Sequence, residues 1–139
     1  MKTYVEHANL TVVNLDRTVD FLQTALPDFF VRHQGENSKR WCHIGTDDTY
    51  LALQEIEPRQ LEHVKRTPYF DTGINHIGLV VENAKDVERR LTEAGYQQNG
   101  SAANELARIR VYFYDRDGIE WEFIQYTSQD SASRNDYQH

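Results

Sequence analysis

Several residue types are scarce in this sequence, and each scarcity excludes a class of protein. Cys42 is the single cysteine, so no disulfide can form within the chain. Lys and Arg number 15 against 22 Asp and Glu, which leaves a formal net charge of −7. A chain without surplus positive charge neutralises phosphate groups poorly, so we expect no nucleic acid and no membrane surface among its partners. No apolar run approaches the roughly 18 residues that a membrane-spanning helix needs.

The remaining composition is that of a globular domain. The 139 residues suit one domain, or two half-domains that share a core, and a hydrophobic fraction of 39% is enough to fill that core. The first residues, Met1–Tyr4, lead straight into strand-like sequence and lack the apolar segment of a signal peptide. We therefore expect a cytoplasmic protein.

The sequence contains an internal repeat. Residues His7–Ala25 read HANLTVVNLDRTVDFLQTA and residues His76–Ala94 read HIGLVVENAKDVERRLTEA, so the offset between them is 76 − 7 = 69. At this offset six of 19 positions are identical: His7/His76, Leu10/Leu79, Val12/Val81, Asn14/Asn83, Leu22/Leu91 and Ala25/Ala94. The same offset superposes a strand, a helix cap and a helix, so we interpret the chain as two copies of one structural pattern.

Each copy begins with a strand that is followed by a helix. The stretches Val5–Val13 and Ile74–Val81 are rich in β-branched residues. Asn14 and Asn83 follow as helix N-caps, whose side-chain oxygens accept hydrogen bonds from free backbone N–H groups. Helices come next, with apolar residues at helical spacing, and Gly95 ends the second of them. Three short strands are then predicted in each copy, near residues 29–33, 39–44 and 49–56 and near residues 96–99, 108–114 and 120–126.

These elements predict an α+β fold of two tandem βαβββ modules, with curved mixed sheets around a central cavity. Module one covers about residues 4–57 and module two about residues 74–126. The linker at 58–73 contains prolines and a mixed charge run, and a short helix is expected in it at Gln60–Lys65. Residues 127–139 are mostly polar and have little to bury, so we expect a flexible tail there.

Alternation along the strands places three metal-ligating residue types on one side of the sheets. In the first strand Leu10 and Val12 face the helix, so His7 points to the opposite face. His76 holds the equivalent position in the second copy, and Glu122 lies between two aromatic residues that face the helices. Two imidazoles and one carboxylate are a recurrent ligand set for a divalent metal with open positions. The sequence therefore predicts that His7, His76 and Glu122 converge on one metal ion.

Three motifs in this order and spacing resemble those of the vicinal oxygen chelate superfamily. They are His7-Ala-Asn-Leu-Thr-Val with its helix at 16–26, then His76-Ile-Gly-Leu-Val-Val, and finally Tyr114-Asp-Arg-Asp-Gly-Ile-Glu-Trp-Glu122. The resemblance covers roughly residues 4–126. This superfamily includes glyoxalase I, methylmalonyl-CoA epimerase, fosfomycin-resistance thiol transferases, extradiol dioxygenases and bleomycin-binding proteins.

The resemblance also implies a ligand arrangement. Metal ligands in this superfamily come from the first and last strands of each module, and His7, His76 and Glu122 match three of those positions. The fourth position aligns best with Ala52, which cannot bind a metal. Gln54 lies on the same face one pleat further along, and a shift of register would bring it in. Four ligands are typical of glyoxalase I and the epimerase, whereas a set of three ligands resembles that of the thiol transferases and dioxygenases.

We therefore expect a metal-dependent enzyme with one divalent ion, Fe, Mn, Zn or Ni, and a small-molecule substrate that chelates the ion through oxygen. Glu122 is also the candidate catalytic carboxylate. Candidates for substrate contacts lie on or near the strands that face the cavity: Tyr50, Gln54, Arg108, Arg110, Tyr112 and Tyr114. The reaction stays open between a lyase or isomerase, a thiol transferase and a dioxygenase type. Open sheet edges on two small modules predict a homodimer.

A second hypothesis is a metal-free protein of the bleomycin-resistance type that sequesters a drug or metabolite. The acidic balance of the chain suits a cationic ligand. Such binders generally lack the metal-ligating residues, so the presence of all three here favours the enzyme.

Overall fold

The computed structural model describes residues 1–57 and 66–137. The chain divides into two compact units, Met1–Arg66 and Thr67–His139, and each is described by itself. The short helix predicted at Gln60–Lys65 lies outside the described residues. Within the described part of the chain, no helix is long and apolar enough to cross a membrane.

The first unit contains one four-stranded mixed sheet and one helix. Its elements are β1 (His7–Val12), α1 (Leu15–Ala25), β2 (Phe30–Glu36), β3 (Arg40–Gly45) and β4 (Tyr50–Glu55). The strand order is β1-β4-β3-β2, in which β1 runs parallel to β4 and the other pairs are antiparallel. The core side chains of α1 and of the strands are fully buried, among them Phe21, Leu22, Ile44 and Leu53. The opposite face of the sheet is therefore the one that carries polar side chains.

The second unit repeats this pattern with one interruption. Its elements are β5 (His76–Val80), α2 (Ala84–Glu93), β6 (Gln97–Gln98), β7 (Ala103–Asn104), β8 (Arg108–Tyr114), β9 (Glu120–Tyr126) and α3 (Ser131–Arg134). The strand order is β5-β9-β8-β6, and β7 also pairs with β8. The second strand of the module is thus broken into β6 and β7, with Gly100 at a φ of 75° between them. The α+β fold class and the two βαβββ modules are confirmed.

The start of each helix is tied down in the same way in both units. The side chain of Asn14 accepts a hydrogen bond from Arg17 N at 2.9 Å, and Asn83 accepts one from Asp86 N at 3.1 Å, so both predicted N-caps are confirmed. The last strand of each module adds an acceptor at the first helical residue. Glu55 Oε2 accepts from the N–H of residue 15 at 2.9 Å, and Gln125 Oε1 accepts from that of residue 84 at 3.0 Å. These bonds fix the start of each helix to the last strand of its own module.

The C-terminal segment differs from the flexible tail expected of it. Residues 131–134 form α3, and the buried guanidinium of Arg108 donates to the carbonyl oxygens of Arg134 and Asp136 at 3.2 and 2.9 Å. The Arg108 guanidinium also lies 4.8 Å from the ring centroid of Tyr137. The sequence provided no apolar pattern for this contact because a buried arginine, and not a hydrophobic residue, holds the segment.

Candidate functional site

Two of the predicted metal ligands lie side by side in the second unit. His76 and Glu122 come from the adjacent parallel strands β5 and β9, and His76 Nε2 lies 3.0 Å from Glu122 Oε2. Two ligand atoms that each lie about 2.1 Å from one metal ion, at right angles to each other, are about 3.0 Å apart. The pair therefore fits two neighbouring positions around a divalent ion.

Glu122 is buried and is surrounded by groups that favour its negative charge. Arg110 Nη1 lies 3.6 Å from Glu122 Oε1, and the same nitrogen donates to the hydroxyl of Tyr112 at 3.1 Å. Burial, together with hydrogen bonding to Glu122, raises the pKa of Tyr112 to about 12, so this phenol keeps its proton at neutral pH. Glu105 Oε1 accepts from Arg110 Nη2 at 2.6 Å and holds the guanidinium in place. Two of the predicted substrate-contacting residues, Arg110 and Tyr112, thus adjoin a predicted ligand.

The other nitrogen of His76 faces a second carboxylate. His76 Nδ1 lies 3.0 Å from the hydroxyl of Tyr69 and 3.4 Å from Glu120 Oε1. The Tyr69 hydroxyl donates to Glu120 Oε1 at 2.5 Å, and this bond to the carboxylate raises the pKa of Tyr69 to about 12. Asn99 Nδ2 donates to the other oxygen of Glu120 at 2.7 Å. The His76 ring therefore lies between two buried carboxylates, one at each nitrogen.

Sequence reasoning missed Tyr69, Glu120 and Asn99. A signal existed for Glu120, because strand alternation puts it on the same face as Glu122. Tyr69 belongs to the segment that was read as a linker, where neither strand nor helix periodicity applies. Its position is a consequence of tertiary structure alone.

The equivalent rungs of the first unit carry different side chains. His7 pairs with Tyr50 in the β1–β4 ladder, and the two rings stack with centroids 4.8 Å apart and an interplanar angle of 14°. Two residues further along both strands, Asn9 pairs with Ala52, as Gly78 pairs with Glu122 in the second unit. Ala52 therefore occupies the rung that corresponds to Glu122. Gln54 lies at the next rung of that face, where its Nε2 donates to a threonine hydroxyl at 3.2 Å.

His7 has its own carboxylate neighbour. Its Nδ1 lies 3.3 Å from Glu6 Oε1, so a carboxylate faces Nδ1 in both predicted histidine ligands. A hydrogen bond at Nδ1 leaves Nε2 free to bind a metal, and such partners are usual for metal-ligating histidines. The donor types and their neighbours therefore fit a divalent ion.

Aromatic and imidazole rings form a row across the same face of the first unit. The ring of Tyr50 contacts those of His7 and His43, and the Arg32 guanidinium lies 4.5 Å from its centroid. Trp41 continues the row, with its centroid 5.4 Å from that of His43. Burial, aided by nearby positive groups, lowers the pKa of His43, so its imidazole is neutral at pH 7. Of this row, sequence reasoning singled out His7 as a metal ligand and Tyr50 as a substrate contact.

The predicted site residues thus lie in two groups, one in each unit. His76 lies with Glu122, Arg110 and Tyr112 in one unit, and His7 lies with Tyr50 in the other. Across residues 1–57 and 66–137, no three or more His, Cys, Asp or Glu side chains form a group able to hold a metal ion. Convergence of the full triad of His7, His76 and Glu122 therefore stays a prediction.

Arg108, a predicted substrate contact, has another role. Its side chain is buried, ion-paired with Glu105 and bonded to two carbonyl oxygens of the C-terminal segment. Each of the three guanidinium nitrogens donates to one of these partners, so Arg108 is a structural anchor for that segment. The expectation that Arg108 contacts substrate is corrected accordingly.

Comparison with known proteins identifies the family. The family model of the Glyoxalase/Bleomycin resistance protein/Dioxygenase superfamily matches residues 4–123. No curated protein sequence matches the chain. A glyoxylase/bleomycin resistance protein/dioxygenase domain from Frankia sp. EAN1pec is similar in structure, with a TM-score of 0.74, 21% identity, and coverage of 94% of this chain and 96% of that chain.

Two fosfomycin resistance proteins are also similar in fold. FosX from Listeria monocytogenes, complexed with Mn(II) and sulfate ion, has a TM-score of 0.64 and 16% identity, and the match covers 91% of this chain and 95% of that chain. FosX from Mesorhizobium loti has a TM-score of 0.65 and 17% identity, with coverage of 96% and 98%. At these identities the likeness concerns the fold, while the family model covers most of the sequence. The chain belongs to the glyoxalase/bleomycin resistance protein/dioxygenase superfamily.

Proposed function

We propose that this chain is a metal-dependent enzyme that acts on a small molecule able to chelate the metal through its oxygen atoms. The observation that carries the proposal is the pair formed by His76 Nε2 and Glu122 Oε2, 3.0 Å apart, with the opposite nitrogen of His76 turned to Glu120. The similar FosX structure from Listeria monocytogenes is a complex with Mn(II), which adds support for a divalent ion.

His76, Glu122 and His7 would hold one divalent ion, Fe, Mn, Zn or Ni. These three ligands leave open positions for substrate. When bound, the ion supplies Lewis-acid chemistry, which polarises an oxygen of the substrate. Metal affinity should fall when any one of the three ligands is removed.

The residues around Glu122 suit an oxygen-rich substrate. Arg110 presents a permanent positive charge beside Glu122, and its side chain is about one-third exposed, with a relative accessibility of 31%. Tyr112 stays protonated and hydrogen-bonds Glu122, so a substrate oxygen would accept this proton in place of the carboxylate. We assign both residues to substrate binding, with Tyr50 and Gln54 contributing a ring face and an amide. Glu122 would also act as the catalytic carboxylate, in a reaction of the isomerase or lyase, thiol transferase or dioxygenase type.

The proposed functional form is a homodimer. β1 and β5 each lie at an edge of their sheet. Apolar side chains on or beside these edges are largely exposed, including Val5 at 84%, Ile74 at 59% and Val80 at 66% relative accessibility. Exposed apolar edge strands are usually covered by another chain or element. A dimer would cover them and would allow a second copy to supply His7 to the site.

Titration of the metal-free protein with Mn²⁺ or Zn²⁺ in a calorimeter tests the proposal. We expect one ion per chain, loss of most affinity in His7→Ala and His76→Ala, and strongly weakened binding in Glu122→Gln. His33→Ala and Glu93→Gln are the matched controls, since neither residue belongs to the predicted site, and they should bind as wild type does. Unchanged binding in all three ligand variants would refute the site.

A metal-free ligand-binding protein is the second candidate. The observation that favours it is the row of rings formed by His7, Tyr50, His43 and Trp41, which offers stacking surfaces to a planar ligand. The two candidates separate in the presence of a chelator. Quenching of Trp41 fluorescence by a cationic aromatic drug that survives EDTA, in a protein that takes up no metal, would favour the binding protein.

A further inference from the structure

The neighbours of His76 determine which of its nitrogens carries the proton. The Tyr69 hydroxyl lies 2.5 Å from Glu120 Oε1 and 3.0 Å from His76 Nδ1. A phenol has one proton, and the shorter contact is to a carboxylate, so Tyr69 donates that proton to Glu120. The phenol oxygen is then an acceptor, and a hydrogen bond with His76 requires a proton on Nδ1. Nε2 in turn faces Glu122 Oε2 at 3.0 Å, so the form with its proton on Nδ1 is the one that frees Nε2 for a metal ion beside Glu122.

Glu120 supports the same assignment. Its side chain is 7% exposed and is in ion-pair contact with His76. A buried carboxylate is costly unless donors compensate its charge. Tyr69 and Asn99 supply two donors, one to each oxygen, and an Nδ1–H on His76 supplies a third. A proton on Nδ1 faces two acceptors, Tyr69 and Glu120, whereas a proton on Nε2 faces one, Glu122 Oε2 at 3.0 Å.

The segment before β5 is shaped to bring Tyr69 to this position. Tyr69 has a φ of 69°, a left-handed conformation that is strained for a residue other than glycine. Its backbone N–H donates to Asn75 Oδ1 at 2.7 Å, and Asn75 directly precedes His76. The loop is thereby closed onto the strand that carries His76. A strained backbone of this kind persists where surrounding contacts hold it. Here the contacts are those of the Tyr69 backbone with Asn75 and of its hydroxyl with Glu120 and His76.

We propose that Tyr69 and Glu120 are positioning residues that keep the proton of His76 on Nδ1 and so present Nε2 to a divalent metal ion beside Glu122. This inference rests on the proposed function, because it assigns the outer partners of the same metal site. Neither residue belongs to the predicted ligand set. Each acts through His76.

Metal affinity is the first readout. Outer partners of metal-binding histidines typically contribute about 10- to 100-fold to affinity. We expect Tyr69→Phe to weaken Mn²⁺ binding about 10-fold and Glu120→Gln at least as much. Because both act through one nitrogen, the double variant should bind no more weakly than Glu120→Gln alone. Tyr137→Phe, which removes a hydroxyl from an exposed tyrosine of the same unit, is the matched control and should bind as wild type does.

The second readout needs no metal. Nitrogen-15 NMR of histidine-labelled, metal-free protein reports the protonation of each ring nitrogen directly. Wild type should show a slowly exchanging Nδ1–H on His76, and Tyr69→Phe should exchange this proton much faster. Tyr69 is 60% exposed, so this variant should fold, which a thermal melt verifies. A wild-type His76 with its proton on Nε2 alone would overturn the inference.

The outcomes separate this inference from the proposed function. If His76→Ala abolishes Mn²⁺ binding while Tyr69→Phe and Glu120→Gln bind as tightly as wild type, the positioning role is wrong and the metal site stands. If His76→Ala binds Mn²⁺ normally, the metal site of the proposed function is wrong, and the presentation of Nε2 to a metal falls with it.

Discussion

Gly78 faces Glu122 across the parallel ladder between β5 and β9, and a Cβ atom added to Gly78 would lie 3.6 Å from Glu122 Oε2. The same added atom would lie 3.3 Å from Cδ1 of Ile124, which is the end of a flexible side chain. Glycine within a strand often marks a place where another group approaches closely. Here the missing side chain leaves space beside the oxygen that faces His76.

The first prediction concerns this space. Gly78→Val adds an isopropyl group next to Glu122 Oε2 and should weaken Mn²⁺ binding about 10-fold, the size of effect that disturbing the orientation of a ligand produces. Gly78→Ala needs only a small movement of Ile124 and should stay within about 3-fold of wild type. Asn9→Val, at the equivalent rung of module one, is the control because it faces Ala52 and no carboxylate. Calorimetric titration measures all three, and wild-type affinity in Gly78→Val would show that this space is not part of the site.

The second prediction concerns Cys42. Its thiol is 1% exposed on the helix-facing side of β3, and burial raises the pKa of Cys42 to about 11. The thiolate is the reactive form, so at pH 8 the native thiol should react with iodoacetamide at least 100-fold more slowly than the unfolded chain, whose thiol has a pKa of about 8.5. Mass spectrometry of labelled protein, with and without urea, measures both rates. Rapid labelling of native protein would contradict this placement of Cys42.

The third prediction concerns the turn that leads into β9. Asp115 is buried, with Oδ1 accepting from the backbone N–H groups of Asp117 and Ile119 at 2.9 and 3.0 Å, and Oδ2 accepting from Trp121 Nε1 at 3.1 Å. Asp115→Ala removes the acceptor of all three donors and should lower the free energy of unfolding by about 3 kcal/mol. Asp115→Asn keeps one acceptor oxygen and should lose less. Urea unfolding measures both variants, and an Asp115→Ala protein as stable as wild type would contradict the role of these three hydrogen bonds.

The same residue predicts a pH dependence. Burial raises the pKa of Asp115 above its ordinary value, so below the raised pKa the folded chain binds this proton more tightly than the unfolded chain does. Stability from this group therefore increases as the pH falls from the raised pKa toward the ordinary value of about 3.9. Other groups cancel in the difference between wild type and Asp115→Asn. That difference should shift in favour of wild type as the pH is lowered, and a shift in the opposite direction would contradict the burial of a charged Asp115.

The internal repeat was enough to predict the order of strands and helices, because the hydrophobic pattern and the caps Asn14 and Asn83 are local properties. Strand alternation likewise put His76 and Glu122 on one face. The contacts of Tyr69 and Arg108 depend on residues distant in sequence and on a left-handed backbone or a buried charge, neither of which has a periodic signature. The break between β6 and β7 was missed for a similar reason, since a two-residue strand is too short to show alternation.

The fourth prediction is self-association. A homodimer should be found by sedimentation at micromolar concentration, since the edge strand β5 exposes apolar surface. Val80→Lys places a charge on that edge and should shift the protein toward monomer. Leu106→Lys changes another exposed apolar residue, one that lies outside the strands, and it should remain dimeric. A wild-type monomer, or equal effects of the two substitutions, would contradict an interface along β5.

The last prediction concerns the rung at Ala52. The resemblance to glyoxalase I, which looks like a four-ligand protein, implies a fourth ligand at the position where this chain has Ala52, whose side chain is 6% exposed. The proposed three-ligand site would leave room for direct chelation of substrate but would have no second carboxylate to act as base, so wild type should have weak or no glyoxalase I activity with methylglyoxal and glutathione. Gln54, at the next rung, is engaged with Thr11, so Gln54→Ala should leave metal affinity unchanged.

Ala52→Glu supplies the missing carboxylate and should behave differently with and without metal. Buried next to Asn9 and His43, the new carboxylate should destabilise the metal-free protein by about 2 kcal/mol, because its charge is poorly compensated there. Bound metal should recover that stability, so the melting temperature of Ala52→Glu should rise more on adding Mn²⁺ or Ni²⁺ than that of wild type. Ala52→Leu, of similar bulk without charge, should show no such gain. Robust glyoxalase turnover by wild type would overturn the three-ligand assignment, and loss of metal in Gln54→Ala would show that Gln54 is the fourth ligand.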